Sequence, residues 1–170
     1  MALALAGCEG VTASTNPTLS KLALKANPSD VPILNGLLER EYLSAYAYTA
    51  ATPLLNRADS RTTRQFLHFE LAHITVLRTL IDNAHHGKAV AQRSSYPLGP
   101  SQGDREMLSL LHRIKAELIR QYLSAIPRLS HGGVRGLTAS IMANEGQQLT
   151  VLRKSLGLEP VPAALATGAE

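Results

Sequence analysis

Four stretches of this chain carry apolar residues at helical spacing, and each of the four stripes is broken by charged or amide side chains at the same level. The first stretch starts after Asp30, a good N-cap with Pro32 in the opening turn, and runs to about Leu55. Its inward stripe reads Leu34, Leu37, Leu38, Glu41, Ala45, Tyr48, Thr52 and Leu55. The second starts near Asp59 or Ser60, runs to Asn83, and shows Phe66, Phe69, Glu70, His73, Val76, Leu77 and Leu80. The third follows Asp104 with Leu108, Leu111, Lys115, Leu118, Ile119, Tyr122, Ile126 and Leu129. The fourth follows Gly132-Gly133 with Leu137, Ile141, Glu145, Gln148, Leu152 and Leu156. No alternating β-branched run competes, so the fold class is all-α. Burying an unpaired charge is expensive, so the inward charges must find partners or a metal.

The linkers set the topology. Short turns around Asn56–Ser60 and Ser130–Gly133 make helices one and two, and helices three and four, antiparallel neighbours. The stretch between helices two and three, Ala84–Gly103, is rich in Gly, Pro and Ser and long enough to return along the whole bundle. The expected architecture is therefore two antiparallel hairpins joined by one long crossover. The halves also repeat. Tyr48-Thr-Ala-Ala-Thr-Pro53-Leu-Leu55 aligns with Tyr122-Leu-Ser-Ala-Ile-Pro127-Arg-Leu129 at an offset of 74 residues. His73-Ile-Thr-Val-Leu-Arg78 aligns with Gln148-Leu-Thr-Val-Leu-Arg153 at an offset of 75. Two near-equal offsets argue for a duplicated helical hairpin, in which Glu41 corresponds to Lys115.

Composition narrows the function classes. The net charge of +4 comes from scattered basic residues with few aromatics among them, which gives no nucleic-acid groove. The single cysteine, Cys8, excludes an intramolecular disulfide and any Cys-rich zinc site. No apolar run reaches the roughly 18–20 residues of a membrane-spanning helix. Three segments follow: a tether or signal remnant over 1–29, the bundle over 30–156, and a loose tail over 157–170. Leu5-Ala6-Gly7-Cys8 resembles the lipobox of bacterial lipoproteins, in which the cysteine is acylated. That resemblance implies export, a cell-envelope address, contact with a membrane only through a lipid on Cys8, and a start codon upstream of Met1. The other reading is a cytoplasmic protein with a disordered start.

The candidate chemistry lies in the stripes. Glu70-x-x-His73 puts a carboxylate and an imidazole on one helix face, and Glu145-x-x-Gln148 is its counterpart. Glu41 precedes Tyr48 by seven residues, two turns along the same face, and Lys115 precedes Tyr122 by the same interval. With Ala143-Asn-Glu145-Gly-Gln-Gln148 and the long crossover, these motifs resemble the ferritin-like superfamily over about Asp30 to Leu156, in particular bacterial exported proteins with such a domain. The resemblance implies a ferritin-like four-helix bundle in which each half supplies a Glu from its first helix and a Glu-x-x-His from its second, six ligands for two metals. Here Glu41, Glu70 and His73 match in the first half, and only Glu145 matches in the second. Lys115 and Gln148 stand where a Glu and a His belong, and an ammonium is no metal ligand. The expectation is one iron or other divalent ion on Glu41, Glu70, His73 and Glu145, or none. Three carboxylates and one ammonium leave a formal charge of minus two, which one divalent ion neutralises. Tyr48 and Tyr122 are expected to donate hydrogen bonds to the carboxylates. His112 and His131 show no partner in the sequence, and His85-His86 reads as an exposed cluster at a helix end.

The leading functional reading is a binding or structural protein with a degenerate di-metal site and at most one divalent ion, rather than an enzyme. The alternatives are a metal-dependent oxidoreductase acting on oxygen or peroxide at the surviving half-site, and a structural envelope lipoprotein. No nucleophile elbow, phosphate loop, dinucleotide motif or HExxH zinc motif is present. A basic bundle of this size is also expected to pair with a second copy of itself.

Overall fold

The computed structural model describes residues 24–100 and 103–169, so Leu5-Ala6-Gly7-Cys8 lies outside the described residues. Four helices carry the fold: α1 Val31–Ala51, α2 Arg57–Asp82, α3 Asp104–Ala125 and α4 Gly132–Ser155, with no strand among the described residues. Each first helix of a hairpin ends in a tighter 3-10 turn, Thr52–Leu54 after α1 and Ile126–Arg128 after α3. The two helix ends lie 74 residues apart, as do the two turns, and each turn carries a proline, Pro53 or Pro127. A proline removes a backbone donor and clashes with the preceding turn, so both helices stop at the same place for the same reason. The duplication read in the sequence is thus present in the backbone.

The crossover follows α1 from one end of the bundle to the other. Asn35, near the start of α1, accepts from Val90 N at 2.8 Å and donates to Lys88 O at 2.9 Å. Further along, the rings of Tyr46 and Tyr96 lie 5.4 Å apart. At the far end Asp104 reaches the α1–α2 turn. α1 packs on α2 and on α3, α3 packs on α4, and the α2–α4 seam is the sparsest of the four.

Two aspartates tie the hairpins together, and neither acts as its position suggests. Asp30 stands at the N-cap of α1 but makes no side-chain cap there. Its buried carboxylate accepts instead from Ser130 N at 2.9 Å and Ser130 Oγ at 2.9 Å, in the α3–α4 turn. Asp104 is already inside α3, whose N-cap is Gly103. Its carboxylate accepts from Asn56 N at 2.6 Å and Asn56 Nδ2 at 3.1 Å, in the α1–α2 turn. Asp30 and Asp104 are 74 residues apart, and so are Asn56 and Ser130. Each hairpin therefore uses its first residue to close the turn of the other, which also makes α1 and α3 antiparallel.

The remaining helix ends differ from the sequence reading in detail. α2 begins at Arg57, earlier than Asp59 or Ser60, because Asn56 is the true cap and accepts from Ala58 N and Asp59 N. His131, for which the sequence shows no partner, caps α4 by accepting from Gly133 N at 3.1 Å. α4 closes at Gly157, whose φ of +72° only glycine adopts without strain, with Leu158 N bonded back to Arg153 O at 2.9 Å. No helix of the described residues is long and apolar enough to cross a membrane.

The apolar core comes in two parts. One gathers Leu34, Leu38, Ile74, Leu77, Leu118, Val134 and Ile141 towards the Asp30 end. The other gathers Ala47, Ala51, Phe66, Leu108, Leu111, Leu152 and Leu156 towards the Asp104 end. The interruptions of the four stripes fall between them.

The two aspartate ties generate the first prediction. Asp30→Ala removes a buried carboxylate that accepts from Ser130 N and Oγ and should lower the unfolding free energy by about 1–3 kcal/mol. Asp104→Ala, at a more exposed site, should cost about 1 kcal/mol or less. Urea unfolding of the two variants measures both; equal effects, or none for Asp30→Ala, would contradict this account.

Candidate metal centre

Between the two apolar clusters the four helices bring together Glu41 from α1, Glu70 and His73 from α2, Lys115 from α3, and Glu145 and Gln148 from α4. Glu41, Glu70, Lys115 and Glu145 are wholly buried, Gln148 is nearly so, and His73 alone keeps a small edge in solvent, at 8% exposure. Each of these positions is a core position in its helix, so the backbone delivers these groups where a Leu would otherwise sit. One candidate ligand atom from each of Glu41, Glu70, His73 and Glu145 lies within 4.8 Å of the other three.

The carboxylates divide their oxygens between two tasks. Glu41 Oε1 accepts from Tyr122 OH at 2.5 Å. Glu70 Oε1 accepts from Lys115 Nζ at 2.6 Å and from Gln148 Nε2 at 3.0 Å. Glu145 Oε2 accepts from the same Lys115 ammonium. The other oxygens, Glu41 Oε2, Glu70 Oε2 and Glu145 Oε1, have no hydrogen-bond partner, and neither does His73 Nδ1. His73 Nδ1 lies 2.8 Å from Glu145 Oε1 and 3.6 Å from Glu41 Oε2, within ion-pairing reach of both when the ring is protonated. Buried polar atoms are nearly always satisfied, so four orphans on four converging residues need a cause. A metal ion supplies one. Ligand atoms about 2.0–2.2 Å from one ion lie roughly 3–4.4 Å from one another, so the cluster is near the size that one ion requires. Three carboxylates and one imidazole suit a divalent first-row metal.

Lys115 and Gln148 fill the other side. The Lys115 ammonium bridges Glu70 and Glu145 and lies 5.2 Å from the centre of the Tyr48 ring, within cation–π range. Gln148 holds Glu70 and also donates to Asn144 Oδ1 at 3.0 Å. The two tyrosines were expected to act alike, and they do not. Tyr122 binds a carboxylate, whereas the Tyr48 hydroxyl faces Gln148 Oε1 at 3.4 Å. Asn144 is the residue sequence reasoning missed. It precedes Gln148 by one helical turn, and that spacing is the only signal it offers. His112, also without an evident partner in the sequence, lies with Nε2 3.4 Å from Arg153 Nη1, beside the cluster's helices but outside it. His85 and His86 stand exposed beyond α2, edge to face at 3.9 Å.

Burial and mutual repulsion set the protons. Burial pushes the Glu70 carboxyl up to about 8, with Lys115 opposing and Glu145 and Glu41 reinforcing. Burial alone would lower His73, but the close carboxylates of Glu145 and Glu41 overcome it and raise the ring to about 10. Lys115 is likewise raised despite its burial, by Glu145 and Glu70. Burial acts to raise Glu145, and Lys115 and His73 outweigh it and hold that carboxyl low. At neutral pH the metal-free cluster thus carries a protonated Glu70, an imidazolium, an ammonium and the Glu145 carboxylate.

The ferritin-like domain family profile matches residues 29–158, most of the 170 residues, and the chain belongs to that family. No curated protein sequence matches it. A solved structure of a conserved hypothetical protein from Mycobacterium tuberculosis superposes with a TM-score of 0.72, covering 81% of this chain and 96% of that one at 14% identity. At that identity the likeness is one of fold.

The proton placement predicts how stability depends on pH. Between the usual carboxyl value of 4.5 and about 8, the unfolded chain has lost the Glu70 proton and the folded one has kept it. Between 6.5 and about 10 the same holds for His73. In both windows the folded state binds more protons, so stability falls as pH rises, by up to about 1.4 kcal/mol per pH unit for each group. Melting of the metal-free protein in chelator should drop by at least about 5 °C between pH 6 and pH 9. A flat or rising profile would contradict these assignments.

Proposed function

We propose that this protein holds one divalent metal ion on Glu41, Glu70, His73 and Glu145, with Lys115 occupying the place of a second ion. The observation that carries this reading is the split of the carboxylates. One oxygen of each is fixed by Lys115 or Tyr122, and the other makes no hydrogen bond, Glu145 Oε1 having only the His73 ring beside it. Lys115 and Gln148 stand, by the duplication, where the first half has Glu41 and His73, and they turn ligand positions into hydrogen-bond donors. The formal balance supports a single ion: three carboxylates and one ammonium leave minus two.

A bound ion would supply a Lewis-acid centre and a cross-link among three of the four helices. The chain's own residues do the positioning. Tyr122 orients Glu41, Gln148 and Lys115 orient Glu70, and Lys115 orients Glu145. The role this supports is metal binding within a structural bundle, and the donor set admits iron, manganese or zinc.

Metal stoichiometry tests the reading. Metal-free protein titrated with Mn(II), Fe(II) or Zn(II) should take up one ion per chain, and the double variant Lys115→Glu, Gln148→His should take up two. The single variant Lys115→Glu, melted in chelator, should lose about 3–5 kcal/mol because a buried cation is replaced by a further carboxylate. Two ions in the wild type, or an unchanged melt for the metal-free single variant, would overturn it.

A further inference from the structure

We infer that Lys115 confines the bound ion to its divalent state, so that the site is silent towards dioxygen. This rests on the one-ion reading above and adds to it a statement about redox chemistry. The geometry places the Lys115 ammonium against Glu70 Oε1 and Glu145 Oε2, while the other oxygens of the same two carboxylates face the candidate ion. Cation and ion therefore share two carboxylates from opposite sides. With a divalent ion the cluster is neutral: three carboxylates against an ammonium and two positive charges.

Loss of one electron from the ion adds a positive charge that nothing in the cluster cancels. Glu41, Glu70, Lys115 and Glu145 have no exposure to solvent, so the surplus charge is screened poorly and repels the ammonium across a single carboxylate. A compensating hydroxide from water would have to enter past His73, the one member with an exposed edge. The electron count points the same way. Reduction of dioxygen to peroxide takes two electrons, and a single ion passing from the divalent to the trivalent state releases one. Lys115 thereby excludes the partner ion that would supply the second electron and disfavours release of the first.

The inference separates this chain from an oxygen-using oxidoreductase and assigns it a divalent cation as a resident ligand. Its test uses the full chain loaded anaerobically with one equivalent of Fe(II). Iron in the wild type should stay ferrous in air-saturated buffer, followed by Mössbauer or electron paramagnetic resonance spectroscopy. The midpoint potential, measured by mediator titration, should fall in Lys115→Met, which keeps the length of the side chain and removes the charge. The expected fall is at least about 59 mV, which is a rise of at least about tenfold in the ratio of ferric to ferrous binding constants. Lys115→Gln provides a second neutral variant if the Met variant folds poorly, and the wild-type measurement in air depends on neither. Ferric iron forming promptly in the wild type, or a potential unchanged or raised in the neutral variants, would overturn the inference and leave the one-ion reading standing. Failure of the wild type to bind Fe(II) at all would overturn both.

Discussion

A layer of charge lies across the middle of an otherwise apolar four-helix bundle, and the rest of the structure is arranged so that this layer can exist. Four groups without solvent contact, three of them acidic, must be neutralised within a few ångströms. The Lys115 ammonium does this for Glu70 and Glu145, and Tyr122 does part of it for Glu41. Buried charge pairs add little net stability compared with well-packed apolar residues, so this layer is poor evidence for robustness. What the layer offers instead is three carboxylates and an imidazole grouped closely enough that they could hold a metal ion.

The duplication explains how one half can change chemistry without changing the fold. α1 and α3 stop at equivalent residues before equivalent prolines, and Asp30 and Asp104 close each other's hairpin turns. The ends of the bundle therefore stay symmetric. At mid-height the symmetry is broken: Lys115 faces the Glu70 and Glu145 carboxylates from the position related to Glu41, and Gln148 donates to Glu70 from the position related to His73, whose ring lies against Glu145 and Glu41. Backbone and chemistry are set by different residues, so the two halves share their packing and differ in the polar groups they carry at mid-height.

Much of this was legible in the sequence because helical periodicity and burial are the same information. Glu41, Glu70, His73, Lys115, Glu145 and Gln148 all sit on stripes whose apolar members are core residues, so their convergence followed from the stripes. What could not be read is direction within a polar group. Asp30 looks like a helix cap from its place before Pro32, yet its carboxylate turns to Ser130, 100 residues away. Tyr48 looks equivalent to Tyr122, yet its hydroxyl meets the Gln148 carbonyl rather than a carboxylate. Choices among nearby acceptors depend on three-dimensional spacing that no local pattern records. Asn144 and His131 escaped for a different reason: their contacts are local, with Gln148 one turn on and Gly133 two residues on, but neither residue type singles out that contact among several.

The central claim is spatial: one ion on the Glu41–His73 side, and an ammonium on the other. Crystals soaked in Mn(II) and examined by anomalous diffraction test it directly. The account predicts one anomalous peak, about 2.0–2.3 Å from Glu41, Glu70, His73 and Glu145, with Lys115 Nζ still bonded to Glu70 and Glu145. Two peaks about 3.5–4 Å apart, with the Lys115 side chain displaced, would contradict it.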